Sequence, residues 1–88
     1  MTIEEFKMQY ALGTLSKDTL VMFTTFSNTS KEMLIILSKD SDYHIRCCVA
    51  HNCNTPIEIL RKLCSDAEWH VRCAAYACID TRKLVNDV

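Results

Sequence analysis

Glycine and proline are nearly absent from this chain, with one of each in 88 residues. Because tight turns between strands depend heavily on such residues, their scarcity favours closely connected helices over a hairpin-rich sheet. Hydrophobic residues make up 49% of the sequence, which is enough for one continuous core in a small protein. The composition therefore predicts a single all-α domain that spans residues 1–88.

Long apolar runs and an excess of one charge are also missing. No apolar stretch approaches the roughly 20 residues of a membrane span, and the acidic start MTIEEFK differs from the basic start of a secretory signal. The formal net charge is −1, so no broad field would attract phosphates or anionic lipids. We therefore expect a cytoplasmic protein without membrane contact, and the charge gives no support to a nucleic-acid partner.

Cysteine is abundant, with six residues at positions 47, 48, 53, 64, 73 and 78. Zinc and iron–sulfur sites use paired ligands such as C-x-x-C, and this set contains no such pair. Reduced cysteine also packs as a small hydrophobic residue. We therefore predict structural thiols in the core, no metal and no cofactor. His51 beside Cys53 keeps a Cys-ligated metal protein as an alternative.

A 26-residue repeat organises the chain. The segment NTSKEMLIILSKD, from Asn28 to Asp40, returns as NTPIEILRKLCSD, from Asn54 to Asp66. Repeats of this length are typical of solenoids, whose units bury their apolar faces against their neighbours. The period divides the chain into a degenerate first repeat that serves as a cap (1–27), two repeats (28–53 and 54–79) and a truncated last unit (80–88).

Helix starts are indicated by polar capping residues, several of them hydroxyl residues three positions before a glutamate, as in a capping box. Thr2 with Glu5 predicts a first helix from about Ile3 to Leu12, which ends at Gly13, and Ser16 predicts the cap of a second helix. Four further starts are predicted, two for each helix type. One type starts at Thr29 with Glu32 and at Thr55 with Glu58, and Pro56 takes the first helical position in the second case. The other type starts at Asp40 and at Ser65 with Glu68. Thr81 predicts a last helix within residues 80–88.

The strings DYHIRCCVAHNCNTPIEILRKL and DAEWHVRCAAYACIDTRKLV resemble the leucine-rich-repeat variant family, whose units read approximately D-x-x-x-V-R-x-x-V-A-x-N-x-x-T-P-x-x-L-x-x-L. The resemblance extends from Asn28 onward and implies a HEAT-like helical solenoid. Some members carry an iron–sulfur cluster on a Cys-rich segment before the repeats, but this chain has no Cys before Cys47. The predicted fold is a short right-handed α-solenoid of HEAT-like helix pairs with 26-residue repeats.

Asp and Arg recur together in this pattern, as Asp40 with Arg46 and as Asp66 with Arg72. Arginines at regular spacing can bind carboxylates or phosphates, yet buried charges are usually paired with one another. We therefore predict an internal ladder, in which each Asp accepts hydrogen bonds from an Arg or from backbone N–H groups at a helix start.

Aromatic and histidine residues recur as well, as Tyr43 with Trp69 and as His44 with His70. Because packed helices lie roughly 10 Å apart, two such histidines are too distant to share an ion, and we expect them to be solvated. For Tyr43 and Trp69 the sequence leaves two roles open, stacking between repeats and anchoring a partner.

No nucleophile, base and orienting residue stand at a recognisable spacing, so we predict no enzyme. The leading prediction is a non-catalytic protein-interaction module, such as an adaptor, an inhibitor or a small regulatory protein. Nucleic-acid backbone binding through Arg61-Lys62 and Arg82-Lys83 is an alternative. The predicted partner-binding residues lie on the second-type helices and at the carboxy-terminal edge, where a second copy or a partner could stack: Lys31, Glu58, Arg61, Lys62, Lys83, Leu84 and Val85.

Overall fold

The computed structural model describes the backbone of residues 1–86 and the side chains of residues 1–82. Within residues 1–86 the chain forms six α-helices and no strand, joined by short turns. The helices are α1 (Ile3–Leu12), α2 (Lys17–Thr25), α3 (Lys31–Leu37), α4 (Tyr43–His51), α5 (Ile57–Leu63) and α6 (Trp69–Asn86). The all-α prediction is therefore confirmed.

The helices pack as a short row of pairs. α2, α4 and α6 contact one another in series, α1 packs on α3, and α5 packs against both α4 and α6. The molecule is elongated, with extents of 42 × 26 × 18 Å. Serial contact between neighbouring pairs is the arrangement of a helical solenoid, as the repeat predicts.

The hydrophobic core follows the repeat. Leu34 and Leu37 of α3 are buried, and so are Leu60 and Leu63 at the equivalent positions of α5. This spacing places both side chains of each helix on one face. In the other helix type the equivalent buried pairs are Ile45 with Val71 and Val49 with Ala75.

Both amino-terminal helices begin as predicted, and α1 also ends as predicted. Thr2 accepts a hydrogen bond from the Glu5 N–H, and Ser16 accepts one from the Thr19 N–H. Gly13 ends α1 with a φ of 71°, which lies in the left-handed region that favours glycine.

Thr29 and Thr55 are not helix caps, so these two predictions are wrong. Both hydroxyls are buried, and each donates to a carbonyl six residues earlier in the chain, that of Phe23 or Val49. A buried hydroxyl needs a partner, and the end of the preceding helix supplies one. Ser30 caps α3 by accepting from the Met33 N–H, and α5 begins directly after Pro56, which precedes the first helical position.

Asp40 and Ser65 do not cap helices either. Asp42 caps α4 by accepting from the His44 N–H, whereas Asp40 accepts from the N–H of Asp42, two residues on. Asp66 makes the same bond to the Glu68 N–H, and α6 begins at the next residue. Side chains of this type commonly close turns in this way. Asp40 and Asp66 thus shape the turn before each helix.

The carboxy-terminal helix is longer than predicted. α6 continues from Trp69 to Asn86, through the boundary predicted at Asp80, and the Thr81 hydroxyl donates to a carbonyl inside the helix. Pro56 interrupts the chain before α5, but Arg82 occupies the equivalent position in α6. Without a proline ring and with its N–H retained, the chain stays helical. The separate helix predicted for 80–88 is therefore wrong over its described part, residues 80–86.

Candidate functional site

A charged fork links neighbouring repeats beneath the starts of α4 and α6. The Arg46 Nε donates to Asp66 Oδ2 at 2.8 Å, and its Nη2 donates to Oδ1 at 3.1 Å. A third bond runs from Nη1 to the Asp40 carbonyl at 2.7 Å. The Arg46 and Asp66 side chains are only 16% and 10% exposed, so water screens this pair little.

The fork changes the acid–base properties of both groups. The hydrogen bonds with Asp66 raise the pKa of Arg46. Burial alone would raise the pKa of the Asp66 carboxyl, but Arg46 and the Glu68 N–H favour the carboxylate and hold that pKa below its usual range. Asp66 therefore carries its negative charge in the folded protein at neutral pH.

Asp40 has a different partner from Asp66. It accepts a hydrogen bond from the Tyr10 hydroxyl of α1. Burial and the neighbouring carboxylate raise the pKa of Tyr10. Leu20 lies 26 residues before Arg46 and its side chain has no donor, and the donor to Asp40 comes from α1 instead. No short-range signal in the sequence indicates this contact.

A second network joins the turns that follow α2 and α4. Asn52 is buried and donates from its amide nitrogen to the carbonyls of Thr24 at 2.7 Å and Phe26 at 2.8 Å. Asn54 donates to the Thr29 carbonyl at 2.7 Å. Thr24 lies in the last turn of α2, where carbonyl groups have no partner within the helix, and the Asn52 amide supplies one.

Arg82 makes the corresponding contacts at the next junction. Cys78 and Asp80 occupy the positions of Asn52 and Asn54, and neither offers an amide donor. The guanidinium of Arg82 instead donates to three carbonyls, those of Asn52, Cys53 and Thr55. Arg82-Lys83 is one of the two basic pairs that could bind nucleic acid, and the Arg82 guanidinium is therefore already bound to carbonyl groups of the protein itself.

An exposed aromatic surface lies at the starts of α4 and α6. The Tyr43 ring stacks on His70 of the next repeat with the centroids 5.7 Å apart, and the Trp69 and His70 rings stack with centroids 4.0 Å apart. Tyr43 is 37% exposed and Trp69 is 56% exposed. We call Tyr43, Trp69 and His70 the aromatic shelf. His70 thus mediates the stacking that the sequence suggested directly between Tyr43 and Trp69.

Charged side chains border the aromatic shelf. His70 Nδ1 lies 3.1 Å from a carboxylate oxygen of Glu68. On the other side, Lys17 Nζ lies 3.0 Å from Asp42 Oδ2 and 3.4 Å from His44 Nδ1. Because an ammonium group only donates, the contact with Lys17 requires His44 Nδ1 to accept. Lys17 also lowers the pKa of Asp42.

The partner-binding residues predicted from the sequence lie on other helices. Lys31 is exposed on α3, and Glu58, Arg61 and Lys62 are exposed on α5, whereas the aromatic shelf belongs to α4 and α6. The side chains of Lys83, Leu84 and Val85 lie outside the described residues.

The cysteines divide into packed and exposed thiols. Cys47, Cys64 and Cys78 pack against the core, and burial raises the pKa of each. Cys53 and Cys73 are exposed, so the prediction of core thiols is wrong for these two.

A groove of about 430 Å³ between α2 and α4 is lined in part by Cys48, His51 and Cys53. No three His, Cys, Asp or Glu side chains within the described residues are grouped so that they could hold a metal ion. No helix among residues 1–86 has both the length and the apolar character that crossing a membrane requires.

Comparison with known proteins supports the fold. A family model described as HEAT repeat matches residues 57–81, which comprise α5 and most of α6. No curated protein and no solved structure matches the chain. HEAT repeats generally serve as protein-interaction scaffolds. The chain is thus a short all-α solenoid with a HEAT-like repeat in its carboxy-terminal half.

Proposed function

We propose that this protein is a non-catalytic protein-interaction module that binds a protein partner through the aromatic shelf. The observation that carries the proposal is the exposure of Trp69 and Tyr43 side by side on His70. Trp and Tyr are enriched among the residues that contribute most to binding at protein interfaces. Two such rings on adjacent helix starts offer a contiguous apolar contact.

The scaffold beneath the shelf supports this proposal. α4 and α6 pack closely, and the Arg46–Asp66 fork ties the two helix starts together. Rings that are already ordered lose less entropy when a partner binds. The neighbouring charges of Lys17, Asp42 and Glu68 would form a polar rim around an apolar centre, as in many interfaces.

A second contact region completes the proposal. Exposed charged side chains on α3 and α5 would bind the same partner: Lys31, Glu58, Arg61 and Lys62. The carboxy-terminal edge, with Lys83, Leu84 and Val85, would contribute apolar contacts or pair two copies. The proposal includes two further points predicted from the sequence: that the chain is a member of the leucine-rich-repeat variant family, which it resembles, and that it is located in the cytoplasm. The HEAT repeat match supports only its coarser part, a helical repeat used for protein interaction.

The test is capture of partners from the source cells, followed by mass spectrometry. We expect the wild-type chain to retain a protein that the double variant Tyr43→Ala/Trp69→Ala does not retain. Phe26→Ala is the matched control, because Phe26 is an exposed aromatic residue outside the shelf. Equal retention by wild type and the double variant would contradict the proposal.

Salt dependence distinguishes a protein partner from nucleic acid. A chain that bound phosphates through several basic groups would lose about 10³-fold or more in affinity between low and moderate salt. The shelf is mainly aromatic, so we expect a much smaller loss. A steep dependence, abolished by Arg61→Gln and Lys62→Gln together, would favour the nucleic-acid alternative.

A further inference from the structure

One face of α4 is covered by α6. Tyr43 stacks on His70, and the Cys47 thiol lies 3.9 Å from the His70 carbonyl. Ala50 continues the same stripe at helical spacing and is fully buried. The equivalent positions of α6 carry, in the same order, Trp69, Cys73 and Tyr76.

The corresponding face of α6 is open. Trp69 and Tyr76 are each 56% exposed, and Cys73 is exposed between them. No helix among the described residues covers this stripe. On α4 this face binds the next repeat. The same face is present on α6, where its apolar side chains are larger and no element in the described part of the chain covers it.

Arg72 is oriented as Arg46 is. Its Nη1 donates to the Asp66 carbonyl at 2.7 Å, and the Arg46 Nη1 donates to the Asp40 carbonyl at the same distance. In Arg46, the remaining edge, Nε and Nη2, binds the Asp66 carboxylate of the next repeat. In Arg72, these two nitrogen atoms have no acceptor within the described residues. The guanidinium thus presents a preoriented two-donor edge beside the apolar stripe.

We infer that Trp69, Arg72, Cys73 and Tyr76 form an end face that docks a helical hairpin of a partner protein, with an Asp of that hairpin bound by Arg72. This inference rests on the proposed function and names the chemistry of the partner. The Asp precedes the second helix of the hairpin, as Asp66 precedes α6. Its carboxylate receives two parallel hydrogen bonds from Arg72, the strongest common geometry for an Arg–carboxylate pair.

A second copy of this chain fits the end face less well. If copies stacked head to tail, Thr14 of the next copy would occupy the position of Asp66 and would offer no carboxylate. If two copies met about a twofold axis, both end faces would present an Arg72 and neither an Asp. The positive charge of Arg72 therefore selects a hairpin of a different protein, one that carries an Asp at the position of Asp66. We call it the acidic hairpin.

Trp69 is the single tryptophan of the chain, so its fluorescence reports directly on the end face. The probe is a synthetic peptide with the sequence of residues 54–82 and Trp69→Phe, which carries the Asp that Arg46 binds. Added to the full-length protein, it should cause a saturable blue shift of the Trp69 emission. A peptide that also carries Asp66→Asn should bind about tenfold more weakly, because it offers no charged acceptor. No shift at any peptide concentration would overturn the inference.

Variants of the protein locate the peptide. Arg72→Gln should weaken binding about tenfold, whereas Lys39→Gln, which removes an exposed cation in the turn after α3, should leave it unchanged. Circular dichroism shows whether each variant remains helical. Equal affinity for wild type and Arg72→Gln would place the peptide elsewhere, for example on α4 in exchange for the native α6, and would overturn the inference.

Capture from the source cells separates this inference from the proposed function. A protein retained by wild type and by Arg72→Gln, but lost with the shelf double variant, would leave the interaction function standing and overturn docking at the end face. Loss with Arg72→Gln and not with Lys39→Gln would support both. Sedimentation of the protein alone tests the remaining occupant, since a dimer that Arg72→Gln dissociates would identify a second copy and overturn an acidic partner.

Discussion

The two ends of this solenoid are built in different ways. In the first helix pair, α1 departs from the repeat and is joined tightly to its neighbours: Phe6 is fully buried against Tyr10 and Phe23, and Tyr10 donates to Asp40. On the last helix, α6 keeps the Arg of the repeat and leaves Trp69 and Tyr76 exposed. The first helix pair thus lacks the residues that join repeats, whereas α6 retains them and is suited to a further junction.

The largest expected effect comes from Arg46. Arg46→Ala should lower the free energy of unfolding by about 3–5 kcal/mol, because it leaves the nearly buried Asp66 carboxylate without its partner. Arg72→Ala removes a single bond to a carbonyl and should cost about 0.5–1.5 kcal/mol. Urea unfolding followed by circular dichroism measures both. Equal losses of stability in the two variants would contradict the difference between Arg46, at the covered junction, and Arg72, on the open face.

Removing an aromatic ring should distinguish the closed end from the open one. Phe6→Ala should cost about 3–5 kcal/mol, since it leaves a cavity under α1. Tyr76→Ala should change stability by no more than about 0.5 kcal/mol, because the ring is mostly in solvent. Thermal unfolding of the two variants provides the comparison. A large loss for Tyr76→Ala would indicate that this ring is packed in solution.

Several features of the fold could be predicted from the sequence because their signals are local or periodic. The bounds of α1 follow from Thr2, Glu5 and Gly13, and the core follows from the 26-residue recurrence of apolar positions. The bond from Tyr10 to Asp40 could not be predicted, because it joins residues 30 positions apart on different helices. Such a contact depends on how α1 packs against the turn before α4, which no short pattern encodes.

The candidate site was predictable only in part. The sequence singled out Tyr43, Trp69 and Arg46 as recurrent residues, but not the stacking of His70 between the two aromatic rings. In the sequence, Arg82 is only a candidate for binding nucleic-acid backbone, yet in the structure it takes the role of two asparagines, which becomes visible only when equivalent turns are superposed in space. The cap at Thr29 was misplaced by one residue because Thr and Ser are adjacent and both are good caps.

Acid should weaken the junction selectively. The pKa of Asp66 is lower in the folded protein than in the unfolded chain, so its contribution is complete above the unfolded pKa and is lost as the pH falls through the folded pKa. We expect a contribution of about 1.5–3 kcal/mol, as for other hydrogen bonds to charged groups. Urea unfolding at a series of acidic pH values should show this loss in the wild type and a smaller one in Asp66→Asn. Identical pH profiles would contradict the assignment.

The smallest effect concerns two cysteines at equivalent positions. Cys47 lies in the covered junction, where burial raises the pKa of its thiol, and Cys73 lies on the end face. A disulfide reagent should therefore label Cys73 several-fold faster than Cys47, as mapped by mass spectrometry of peptides. Docking of the acidic hairpin should slow labelling of Cys73 and leave exposed Cys53 unchanged. Equal rates at Cys47 and Cys73 would argue against the difference between the two faces.

The carbonyl contacts of Asn52, Asn54 and Arg82 have a consequence for the dynamics of the chain. Asn52 binds the Phe26 carbonyl and Asn54 binds the Thr29 carbonyl, so each joins its unit to the preceding one, and Arg82 binds carbonyls on both sides of the boundary between residues 53 and 54. The protein therefore approximates a one-dimensional array with nearest-neighbour coupling. The central unit, with α3 and α4, has a neighbour on both sides, whereas each outer unit has one within the described chain. Opening should therefore begin at the ends, and backbone amides of α4 should exchange with solvent more slowly than those of α2.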